Sequence, residues 1–169
     1  VVVEEVDLFM MSSDPVAMEV EATELAEIIE DRQDEYQVIW ADGRKMQTKV
    51  QLMEEISQAF GFPSYFGRNW DALDEVLRDS SWRSDFRPVL FILQEPSAIL
   101  KCESVHQFDV LLDVLSSAAK QAVTAVAGGK TYALLYPVLL IGTGAARSAD
   151  LEAANRWRSR GWSITSSTS

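Results

Sequence analysis

Three carboxylates, Asp71, Asp74 and Glu75, stand at spacings of three and four. On a helix such neighbours share one face, with Cβ atoms about 5–6 Å apart. Three negative charges this close repel one another, so local helix stability does not call for them. Two chemistries use such a group. A carboxylate pair performs acid–base catalysis when a cleft, a nucleophile or a metal set surrounds it; the sequence places none around Asp71 and Glu75. A carboxylate cluster turned outward instead binds a cationic partner, which gains from all three charges at once. The plain alternative is a solvated face whose first-turn residues, Asp71 and Asp74, complement the helix dipole.

The element that must hold these groups is a helix over residues 70–79. Trp70, Leu73, Val76 and Leu77 fall on its apolar side. Arg78 lies within the acidic face and weakens it. Asn69 occupies the N-cap position. The preceding run, Gly61 to Arg68, reads as a loop broken by Gly61, Pro63 and Gly67, and Tyr65 and Phe66 stay exposed unless it packs down.

The chain has 169 residues, is 47% hydrophobic and carries a formal net charge of -11 from 15 basic and 26 acidic side chains. That size buries a core. The acidic balance argues against direct nucleic-acid binding, which needs basic patches, and suits a basic partner or simple solubility. Cys102 is the only cysteine and His106 the only histidine, so neither an intrachain disulfide nor a Cys/His metal cluster is expected. No metal and no cofactor is expected. The opening Val1-Val2-Val3 is followed at once by Glu4 and Glu5, unlike a signal peptide; a start at Val1 rather than Met fits a processed or truncated end. The apolar run Tyr132 to Ile141 is too short to span a bilayer. These features predict a cytoplasmic protein with no membrane association.

In chain order, Val1 to Met11 reads as a strand or docked arm, and Ser12 to Pro15 as a turn or helix start. Met18 to Asp34 reads as an acidic amphipathic helix. Tyr36 to Trp40 is a strand, Asp42-Gly43 a turn, and Val50 to Phe60 a helix capped by Thr48 and stopped by Gly61. After the acidic helix come a buried strand, Val89 to Leu93, a long helix, Phe108 to Ala127, ended by Gly128-Gly129, and a third strand, Thr131 to Ile141. Pro137 argues for an edge position or a break there. Ser148 caps a short helix over 149–158, and Thr165 to Ser169 looks frayed. Gly142-Thr143-Gly144 lacks the third glycine of a dinucleotide fingerprint. The expected fold is α/β, a small three-stranded parallel sheet with helices packed on it. It divides into an N-terminal extension with an acidic helix (1–35), a central domain (36–141) and a C-terminal tail (142–169).

The run Pro63-Ser64-Tyr65-Phe66-Gly67-Arg68-Asn69-Trp70-Asp71-Ala72-Leu73 resembles the signature of the barstar family, intracellular inhibitors of barnase-type ribonucleases. That signature is a proline, an aromatic pair, glycine, any residue, asparagine, an apolar residue and Asp-Ala-Leu. The resemblance extends over roughly Tyr36 to Ile141, and the family's three-stranded parallel sheet agrees with the periodicity. It implies inhibition by charge mimicry: loop and helix enter a cationic active site where RNA phosphates would bind. It assigns partner contact to Tyr65, Phe66, Gly67, Asn69, Asp71, Asp74 and Glu75. Within that set Tyr65 is the packing aromatic, Asp71 an acidic contact, and Glu75 stands in place of the family's key aspartate.

The sequence departs from the family prototype at Asp74, where a tryptophan is expected, and at Glu75, one methylene longer. Ser117 and Gln121 stand where the prototype has glutamates. The resemblance therefore predicts a non-enzymatic bacterial immunity protein whose partner is a basic extracellular-type ribonuclease or toxin. A barstar-like interaction or regulatory module with a non-nuclease partner is the other reading.

Overall fold

The computed structural model describes residues 14–124 and 131–166. The readings of Val1 to Met11, of Ser12-Ser13, of Gly128-Gly129 and of residues 167–169 lie outside them. Among the described residues seven strands and five α-helices follow in order: β1 (Val16–Glu21), α1 (Ala22–Arg32), β2 (Gln37–Asp42), α2 (Lys49–Phe60), α3 (Trp70–Arg78), β3 (Val89–Gln94), α4 (Val105–Ala119), β4 (Ala122–Thr124), β5 (Thr131–Ala133), β6 (Leu135–Ile141), α5 (Ala145–Ser159) and β7 (Ser163–Ser166). Short 3-10 turns follow β2 and β3.

The main sheet has five strands, not three, in the order β2-β3-β6-β1-β7. All four neighbouring pairs are parallel. The two added strands come from the sequence before and after the expected central region, and both lie on the same side of the sheet, beyond β6. β1 pairs with β6 from Met18↔Val138 to Glu21↔Ile141, and β7 pairs with β1 from Val16↔Ser163 to Glu19↔Ser166. Residues 18–21, expected as helix, are therefore strand. Their alternation is visible in the burial of Met18 and Val20 between the less buried Glu19 and Glu21.

Three further expectations need correction. The helix before residue 127 ends at Ala119, and residues 122–124 pair antiparallel with 131–133 as a separate two-stranded ribbon. Pro137 is neither at an edge nor at a break: it lies in β6, the middle strand, opposite Phe91. The ladder between β6 and β1 begins one residue later, at Val138. The C-terminal helix begins at Ala145 rather than 149, after Gly144 at φ 62°.

The continuous apolar reading of β3 is met by burial on both sides. Phe91 and Leu93 join the cluster under α2, α3, α4 and α5, whereas Leu90 and Ile92 join a smaller one beneath α1. Trp157 on α5 and Trp162 before β7 are both buried, with ring centroids 4.8 Å apart. They bind the C-terminal segment into the same core. The Asp150 carboxylate is 1% exposed and accepts the Gly142 N–H (2.9 Å) and the Ser97 N–H (3.2 Å). It thereby ties the turn after β6 to the turn after β3.

Candidate functional site: an acidic helix face and its leading loop

α2 ends at Gly61, whose left-handed φ of 68° lets the N–H groups of Gly61 and Phe62 both reach the Ser57 carbonyl. The chain then turns, with the Phe66 N–H donating to the Pro63 carbonyl at 3.0 Å. Phe66 points inward at 9% exposure, 4.9 Å from the Phe62 ring. It anchors the loop rather than offering a contact surface. Tyr65, its neighbour, is 71% exposed. The loop thus packs down on one aromatic and presents the other.

Asn69 caps α3 as its type and position predict: its Oδ1 accepts the Ala72 N–H at 2.8 Å and its Nδ2 donates to the Gly67 carbonyl at 3.3 Å. Both ends of the amide are used within the chain, so Asn69 shapes the site. A side chain at Gly67 would press on Ala72 Cβ at 3.3 Å. Arg68, not singled out in the sequence, has a left-handed φ of 54° and forms an ion pair with Glu54 on α2. Such a backbone is costly for a residue with a Cβ, and the ion pair fastens the loop to α2 at that point. The only signal for it was its place between the glycine and the cap.

On α3, Leu73, Val76 and Leu77 are buried. Burial of three such side chains contributes on the order of 6 kcal/mol, against a few tenths per like-charge pair on the opposite face. Packing therefore sets the helix and tolerates the acidic cluster. Trp70 is fixed by a 2.7 Å bond from its Nε1 to Gln107 Oε1 on α4, with Lys49 Nζ 5.6 Å from its ring centre. At the other end, Trp82 Nε1 donates to the Val76 carbonyl at 2.9 Å, satisfying a helix-end acceptor. The Ser81 N–H donates to the Asp79 carboxylate and holds its carboxyl below the usual range.

Asp71 and Glu75 are exposed and make no ion pair among the described residues. Asp74 is half-buried and bound to Arg78 at 2.6 Å. The structure thus brings Tyr65, Asp71 and Glu75 out to solvent, neutralises Asp74 in part, buries Phe66, and engages the exposed Asn69 amide in capping α3. Among the described residues no group of three or more His, Cys, Asp or Glu is arranged to hold a metal ion, and no helix is long and apolar enough to cross a membrane.

The described residues thus form a parallel α/β sheet that carries an outward acidic helix. The family model described as barstar (barnase inhibitor) matches residues 36–135, and the chain belongs to that family. No curated protein matches the chain. Among solved structures it is similar to the ORC2 protein of Aeropyrum pernix, described as ADPNP-ADP complexes, at 14% identity and a TM-score of 0.53. That alignment covers 90% of this chain and 41% of the other, so the chain spans less than half of its structural neighbour. Identity this low concerns the fold alone. Here β1 passes directly into α1 at Glu21-Ala22, and the sequence has no Gly-x-x-x-x-Gly-Lys segment to cradle a phosphate.

Proposed function

We propose that this chain is a stoichiometric inhibitor of a microbial ribonuclease or related basic toxin, occluding a cationic active site with the acidic face of α3. The observation that carries the reading is the pair Asp71 and Glu75: one helical turn apart, exposed, and free of ion-pair partners among the described residues. A ribonuclease must hold RNA phosphates with Arg, Lys and His. Carboxylates at helix spacing offer those groups negative charge without a bond to cleave. Tyr65 on the preceding loop supplies an aromatic anchor of the kind enriched at interface hot spots. In this reading the protein serves cytoplasmic immunity in a bacterial cell. The test is titration of a basic barnase-type ribonuclease with the intact protein: activity falls linearly to zero at equimolar ratio if the proposal holds.

A second reading is a barstar-like interaction or regulatory module with a non-nuclease partner. One observation favours it. Ser117 Oγ turns back to the Asp113 carbonyl at 3.2 Å, and Gln121 lies beyond the end of α4, so neither supplies the carboxylate the family prototype has there. This reading predicts that the same titration leaves ribonuclease activity unchanged.

A further inference from the structure

Away from the acidic face, a cavity of about 250 Å³ lies between the edge strand β2, the C-terminal end of α2 and the segment after α3. Its walls include Ile39, Phe60 and Trp82, and Arg83 lines it with Gln37 and Asp85. The Arg83 guanidinium uses one nitrogen, Nη2, for two neutral acceptors: Gln37 Oε1 at 3.1 Å and the Arg87 carbonyl at 2.9 Å. No carboxylate pairs with it among the described residues. The nearby Asp85 carboxylate is taken up by Arg87, which donates to it from its backbone N–H, Nε and Nη2 at 2.7–3.2 Å.

A part-buried guanidinium held only by neutral acceptors retains donors in a fork that fits a carboxylate. Burial pulls the Arg83 pKa below its usual value, and the nearby Asp85 charge offsets that only in part. The remaining lining is Ile39, Phe60, Gly61, Trp82 and Ser84, and Trp82 is fixed by its bond to Val76 and by edge contact with Phe62 at 5.3 Å. A cavity of roughly 150 Å³ holds benzene, so this one has room for a ring and a carboxylate. A dianion such as phosphate would meet one cation with the Asp85 carboxylate in the same lining, and the chain's net charge of -11 opposes it further.

We infer that this cavity is a binding site for a small monocarboxylate with a planar apolar body, its carboxylate on Arg83 and its ring against Trp82 and Phe60. The site is independent of the α3 face and of the inhibitor reading.

The test uses the full chain, with phenylacetate as the probe and phenylacetamide as its neutral counterpart. The Trp82 indole N–H and the Arg83 Nε–H are followed by nuclear magnetic resonance. Phenylacetate is expected to shift both saturably, with a dissociation constant on the order of 1 mM. Phenylacetamide should bind about tenfold more weakly. Arg83→Gln should abolish that difference and Arg83→Lys should keep part of it. Comparing the two probes on the unaltered protein keeps the test decisive if a variant fails to fold. No saturable shift at either resonance, or equal binding of both probes to the unaltered protein, overturns the assignment.

Discussion

Asp74 and Arg78 are joined by a 2.6 Å ion pair across one turn of α3. The face that presents Asp71 and Glu75 therefore carries its own counter-ion, placed where it subtracts from the charge offered to a cationic partner. Both members are partly exposed, so the pair contributes little to folding, about 0.5 kcal/mol or less.

That arrangement sets the first prediction. Arg78→Ala leaves thermal stability nearly unchanged and speeds association with a basic ribonuclease, because the face becomes more negative and steers the encounter. Stopped-flow association rates at low and high salt check it. The gain should shrink as salt screens exposed charge.

Asn69→Ala removes the acceptor for the Ala72 N–H and the donor to the Gly67 carbonyl. The expected loss is about 1 kcal/mol, or a fall of about 3 °C in Tm for a chain of this size. Thermal denaturation reads it, and weaker partner binding should accompany it because the loop carrying Tyr65 loses its tie to the helix.

Asp150→Ala strands the backbone N–H groups of Gly142 and Ser97 in part-buried positions. The expected cost is about 3 kcal/mol, read as a lowered urea midpoint. This loss tests whether the C-terminal segment belongs to the same cooperative unit as β3 and β6. A midpoint unchanged from the parent would contradict that.

The helix bearing the site was the most legible part of the sequence, for physical reasons. Asn69, the spacing of Leu73, Val76 and Leu77, and the glycine and proline before them all act locally, and local signals survive without tertiary context. β7 was not legible because Ser163 to Ser166 is short, polar and half-exposed at a sheet edge, leaving no apolar run to read. β1 was hidden because its alternation, Met18 and Val20 between Glu19 and Glu21, runs without a turn residue into the acidic helix α1. The end of α4 was misplaced because nothing between Ala118 and Ala122 breaks a helix; pairing of β4 with β5 decides it, and that pairing leaves no mark in the helical periodicity. At the site, the inward turn of Phe66 depended on Phe62 and the core, whereas Tyr65 beside it has the same local character and faces out.

Acid should destabilise the fold through Asp42 and Asp85. Hydrogen bonds from Arg44 and Arg87 respectively hold these carboxyls below their usual value of 3.8. With the folded pKa below the unfolded one, the unfolded chain takes up the proton first as pH falls. The stabilisation is thus fully present above the unfolded value and is lost as pH drops through the lowered folded values. Urea midpoints should decline as pH falls below about 4, and less steeply in Asp85→Asn, which has one such carboxyl fewer.

The central claim rests on two carboxylates, and one measurement addresses it most directly: the affinity of a basic barnase-type ribonuclease for the intact protein and for the Asp71→Ala/Glu75→Ala double variant, side by side, with circular dichroism confirming the fold of both. The account predicts tight equimolar binding by the intact chain and a loss of several kcal/mol in the variant, a magnitude taken from interface hot spots in general, barnase–barstar among them. Equal affinity of the two folded proteins would contradict it.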